Sequence, residues 1–125
     1  VLGRAAMGEE VRALDVHDWR QVTQDGQPVH AEALHLTGTR LGGLASGLPG
    51  ARAMASVALV APMAGDLLDR VRAVLDSALA RGAASALPGR LVVRLLATDG
   101  WPLRQQMVRI LSVLRPGPLP RVWQI

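Results

Sequence analysis

Cysteine is absent from this chain, and so are lysine, phenylalanine and tyrosine. Without cysteine there is no disulfide framework, no thiolate nucleophile and no zinc–thiolate site. That suits a reducing compartment without requiring one. Aromatic residues make up 2% of the chain and are all tryptophan: Trp19, Trp101 and Trp123. A core must therefore be packed from Leu, Val, Ala and Met. The missing lysine makes every charged basic side chain an arginine, a usage that reads as the codon bias of a GC-rich genome. The arginines are scattered, and no aromatic platform lies among them to stack bases. The net charge of +4 thus lacks the clustering of a nucleic-acid footprint. No apolar run is long enough to span a bilayer and no signal peptide is visible. The expectations are no nucleic acid, no membrane and a cytoplasmic location.

What is present points to one folded unit. Half of the 125 residues are apolar, which opposes disorder and allows a single domain with a modest core. The chain opens Val-Leu-Gly-Arg, already apolar, and reads as a piece that begins inside a strand. Gly3 and Gly8 bracket a first turn-like stretch. Asp25-Gly26 is a strong hairpin signal between β-forming runs. A two-residue turn there pairs Gln24 with Gln27, Val22 with Val29 and Trp19 with Glu32, and it leaves Pro28 at a non-hydrogen-bonded position. Residues 37–50, rich in Gly and Leu, read as a loop. Residues 52–61 have the length of a buried strand, ended by Pro62. Residues 66–81 carry Leu67, Val71, Val74, Leu75 and Ala78 at helical spacing, with Gly82 as a C-terminal stop. Residues 90–98 read as a strand buried on both faces. Pro102 opens a second helix with an apolar stripe of Leu103, Met107, Ile110, Leu111 and Leu114. Pro116, Pro118 and Pro120 forbid further helix, leaving an extended tail held down by Val122 and Trp123. The fold class is α+β, β-rich, with an antiparallel hairpin, buried strands and two amphipathic helices packed on the sheet.

Few residues invite chemistry. The two-residue register puts Asp15, His17, Trp19, Gln21, His30 and Glu32 on one hairpin face, with His17 diagonal to Glu32. Two imidazoles and two carboxylates suit a borderline metal such as nickel. The plainer reading is a solvated sheet face with two ordinary histidines, and a one-residue slip in register breaks the grouping. Glu9 and Glu10, after Gly8, read first as a charged strand start. Arg94 sits inside LVVRLLA, where a buried charge has to be paired; the readings are a structural ion pair or an interface. Ser85 lies in AASALPG, with no nucleophile-elbow pattern, and reads as a strand-entry or capping serine. The stretch TGTRLGGLASGLPG lacks the Lys-Ser/Thr ending of a phosphate loop and opens no helix. No nucleophile–base arrangement supports a hydrolase.

One ordered set of signals adds to this reading. LGRAAMGE (residues 2–9), the hairpin with QDGQPV, the run ASVALVAP, SALPGRLVVRLLA (85–97), the PLR of the second helix and the closing LPRVW occur in the order found in the urease accessory family UreD, also called UreH. The chain resembles the C-terminal half of that family, with residues 1–125 as a single domain and the N-terminal half missing. The resemblance implies a largely β fold with helices packed on it. It also implies a non-enzymatic scaffold that helps dock UreF and UreG on the urease apoprotein and supports delivery of nickel to the urease active site. On that basis Glu9, Asp15, His17, Glu32 and His35 are the candidates for lining a nickel route. Arg4, Gly8, Arg94, Arg104 and Trp123, within the matched motifs, are structural or interface candidates. No tightly bound cofactor is implied, only nickel in transit. A half lacking its partner strands exposes edges and apolar faces. Each 100 Å² of such surface forgoes roughly 2.5 kcal/mol of burial, so the piece alone should be marginal or self-associating. The alternative is a small βαβα regulatory or ligand-binding domain, since residues 52–114 read as strand, helix, strand, helix.

Overall fold

Asp25 and Gly26 both adopt positive φ, 51° and 75°, as a tight hairpin turn between right-twisted strands requires. They join β1 (Leu14–Gln24) to β2 (Gln27–Gly38) in a two-stranded antiparallel sheet. A second, three-stranded antiparallel sheet has the order β3-β5-β4, built from β3 (Ala53–Val60), β4 (Arg81–Leu87) and β5 (Arg90–Ala97). A 3-10 turn (Ala64–Leu67) runs into the short helix α1 (Leu68–Ala73), and α2 (Gly100–Leu114) follows β5. This computed structural model describes residues 7–9, 11, 13–38 and 50–124. The β-rich α+β architecture is as the sequence predicts. The order after residue 52 is β–α–β–β–α rather than βαβα.

The hairpin departs from the expected register. Gln24 faces Gln27 and Thr23 faces Pro28, but a bulge at Val29 then shifts the ladder by one. Val22 therefore faces His30, not Val29, and Trp19 faces Ala33, not Glu32. The reason lies in the apolar pattern. With the extra residue, Leu14, Val16, Leu34 and Leu36 share one half-buried face. Without it, Leu34 and Leu36 turn outward beside Asp15 and His17. The Val29 carbonyl accepts a hydrogen bond from Arg90 Nη1 at 2.8 Å, so the bulge also ties the hairpin to β5.

The core lies on the helical side of the second sheet. Leu91, Val93, Leu95 and Ala97 of β5 are buried together with Val71 of α1 and Leu103 and Ile110 of α2. Asp99 caps α2, its side chain accepting from the Gly100 N–H, and Pro102 fills the first turn as expected.

The first helix is much shorter than its periodicity predicts. It stops at Ala73, and Arg81 and Gly82 belong to β4. Asp76 competes for the backbone, its Oδ1 accepting from the Ala78 N–H at 2.9 Å. Fully buried Gln106 accepts from the Asp76 N–H at 3.1 Å and donates to the Val74 carbonyl at 2.9 Å. Gly82 is thus no helix stop. A Cβ there would lie 2.4 Å from Leu95 Cδ2 and 3.2 Å from the Arg94 carbonyl. Ser85 lies within β4 rather than at a strand entry or cap.

The tail also differs in detail. Residues 116–120 are free of helix, but Arg121–Trp123 form a 3-10 turn. Val122 is 68% exposed and does not hold the tail down. Trp123 does, half-buried against α2, with the Arg104 guanidinium 5.4 Å from its ring and donating to the Val122 carbonyl.

Candidate functional site

The two faces of the hairpin have opposite characters because successive side chains alternate. On the outward face stand Asp15, His17, Trp19 and Gln21 of β1 and Ala31, Ala33, His35 and Thr37 of β2, all exposed. His17 lies directly across from His35. Their rings stack with centroids 3.6 Å apart and 26° between planes. Both Nε2 atoms converge on one oxygen, Asp15 Oδ1, at 3.2 Å from His17 and 2.9 Å from His35. Among the described residues this is a group whose ligand atoms all lie within 4.8 Å of one another.

The expected grouping is corrected here. The bulge sends His30 and Glu32 to the opposite face, so Glu32 is not a diagonal neighbour of His17. His35, on the same face as Asp15 and His17, joins them instead. His30 is buried, 8% exposed. Glu9 is exposed, and its backbone carbonyl accepts from Arg52 Nη2 at 3.2 Å. Gly8 sits in an exposed turn with φ of 76°. Arg4 lies outside the described residues.

The inward face meets the outer side of the second sheet. Glu32, its side chain 13% exposed, accepts from Ser56 Oγ at 2.6 Å and from Arg94 Nε at 2.8 Å. Arg20 stands 4.0 Å away and also pairs with Asp18. The Ser56 hydroxyl, then the Arg94 guanidinium, hold the Glu32 carboxyl below the usual carboxylate range, against the opposing effect of burial. Arg94 is not buried: 68% of its side chain is exposed while it keeps the pair. It alternates out of the helical core on β5, so the strand is buried on both faces only in part. Sequence reasoning named Glu32 and Arg94 separately. Ser56, hidden in an apolar run, carried no signal. Beside this network a cleft of about 570 Å³ opens between hairpin and sheet, walled by Leu34, Met54 and Leu96 with Arg20, Glu32 and Arg94 at its polar side.

Chemically, the outward cluster offers two imidazoles and a carboxylate to solvent. The inward cluster is an ion-paired clamp between two sheets. Neither contains a hydroxyl nucleophile activated by a histidine.

The family described as UreD urease accessory protein matches residues 1–124. A urease accessory protein UreD from Paracoccus denitrificans is 58% identical over 127 residues, covering 100% of this chain and 46% of the relative. Its namesake from Cereibacter sphaeroides is 53% identical over 99% of this chain and 46% of its own length. That from Jannaschia sp. is 46% identical over 100% and 47%. The chain spans about half the length of the curated relatives it matches. The match runs along the length of the chain, and the chain belongs to the UreD urease accessory protein family.

Proposed function

We propose that this chain is part of a urease maturation factor, a cytoplasmic scaffold without enzymatic activity. It helps dock UreF and UreG on the urease apoprotein and supports delivery of nickel to the urease active site. The observation that carries this reading is the family match over residues 1–124, with relatives named as urease accessory proteins. Two structural features support it. Trp19, Met63, Trp101 and Val122 are large apolar side chains left 58–68% exposed, as surfaces for protein partners are. Arg52, Arg90, Arg94 and Arg104 are committed to tying loop, sheets and tail together. No helix among the described residues is long and apolar enough to cross a membrane. Nickel is cargo in this reading, not a resident cofactor.

Deleting the gene for the full-length protein should abolish urease activation while apo-urease accumulates, and the plasmid-borne gene should restore it. The full-length protein should also co-purify with UreF. A deletion strain with normal urease activity, or a full-length protein that never retains UreF, refutes the reading.

A further inference from the structure

We infer that Asp15, His17 and His35 form a solvent-facing binding site for a borderline divalent cation on the outer face of the hairpin. Only the choice of nickel as the natural cation rests on the maturation reading; the site itself rests on geometry. Two donors bound about 2.1 Å from one metal lie ~3.0 Å apart at a right angle and ~3.4 Å apart at a tetrahedral angle. The separations of Asp15 Oδ1 from His35 Nε2 and His17 Nε2, 2.9 and 3.2 Å, fall on that scale. The backbone sets them there. His17 and His35 are cross-strand partners, and Asp15 is two residues from His17 on the same face.

The donor set selects the metal class. Two imidazoles and one carboxylate, with no thiolate anywhere in the chain, suit nickel, zinc, copper(II) or iron(II) rather than calcium or a soft cuprous ion. Three protein ligands leave positions open to water or to an acceptor, as a loading site needs and a closed structural site does not. The surroundings favour a cation as well. The chain carries 14 basic residues, yet the outward hairpin positions 15, 17, 19, 21, 31, 33, 35 and 37 hold no arginine. Arg20 points to the other face, where it pairs with Asp18. Binding replaces any proton shared between the imidazoles and Asp15 with the metal, and entry from solvent is direct.

Trp19 supplies a readout. It is 67% exposed and lies on the same face, two residues from His17, roughly 7 Å along the strand. Paramagnetic Ni²⁺ bound at the triad should quench its emission. The test titrates Ni²⁺ into the purified full-length protein, following tryptophan fluorescence and calorimetry together. The site predicts saturable quenching in the wild type. His17→Ala and His35→Ala should each weaken it by about tenfold or more, and Asp15→Asn should weaken it too. Asp18→Asn, on the opposite face, should leave it unchanged. Trp19→Phe should remove the quenched component while keeping the heat of binding. Asp15, His17, Trp19 and His35 are exposed and Asp18 is half-buried, and circular dichroism verifies that the variants are folded. No saturable quenching in the wild type, or the same isotherm in a His17→Ala/His35→Ala double variant, overturns the proposal. The titration contains no urease, so its result is independent of the complementation experiment.

Discussion

Gly82 and Glu32 illustrate two ways in which a single residue is constrained by a partner far along the chain. A Cβ on Gly82 would press on Leu95, which is 1% exposed, and on the Arg94 carbonyl. The Leu95 side chain, and to a lesser degree the β5 backbone, must shift to admit it. Gly82→Ala should therefore destabilise the full-length protein by about 1–3 kcal/mol, the usual cost of overpacking, read as a lower urea midpoint. Glu32 is constrained by charge. Its carboxyl pKa is lowered by the Ser56 hydroxyl first and by Arg94 next. The native state then binds the proton more weakly than the unfolded chain does. The stabilisation is complete above the ordinary value of 4.5 and is lost as the pH falls through the depressed native value. Urea melts of the wild type and of Glu32→Gln should differ at neutral pH and converge on acidification below that ordinary value. A constant gap across the acid limb would show that Glu32 acts through packing alone.

At the scale of elements, the turn and the loop after α1 make separate predictions. Gly26 has φ of 75°, and a Cβ placed there would meet nothing within 4 Å, so its constraint is conformational rather than steric. Gly26→Ala should cost about 1–2 kcal/mol, the penalty for left-handed backbone in a residue with a Cβ, and thermal melts will show it. Gln106 is 0% exposed and holds both Val74 and Asp76. Gln106→Leu keeps the volume but strands one carbonyl and one N–H. It should lose about 1–3 kcal/mol per stranded buried group, and hydrogen exchange should rise selectively at residues 74–80. This loop explains why the helical stripe of residues 66–81 misleads. Val71, Val74 and Leu75 do pack on the core, but over little more than a turn of helix. Beyond it, pairing with β5 captures residues 81–87 as a strand. RGAASAL has no β-branched residue to announce that strand.

At the scale of the whole molecule, the two sheets are held together by Glu32 with Ser56 and Arg94, and by Arg90 on the bulge carbonyl. Much of the positive charge is spent internally. Arg20, Arg94 and Arg109 are ion-paired, and Arg52, Arg72, Arg90 and Arg104 donate to carbonyls. Despite the net charge of +4, the full-length protein should not shift single-stranded RNA in a mobility assay at physiological salt. A salt-sensitive shift would contradict that reading of the arginines.

Patterns local in the chain survive folding. The Asp25-Gly26 turn, the apolar run closed by Pro62, the β5 strand and the Pro102 start of α2 all stand where their residues predict, because turn chemistry and periodicity act over a few positions. Order and identity of motifs also sufficed to recognise the family. The candidate site is half legible: the hairpin pattern groups Asp15 and His17, but with His30 and Glu32, and His35 enters only among the route-lining candidates that the resemblance implies. The apolar alternation of Leu14, Val16, Leu34 and Leu36 held the clue to the bulge. Which residues meet across the hairpin, which carboxylate faces solvent and which is clamped against the second sheet, and where the first helix stops were decided by tertiary structure alone. In a strand one extra residue turns every later side chain to the other face. The contacts that hold that extra residue, Arg90 on Val29, span 61 positions of sequence.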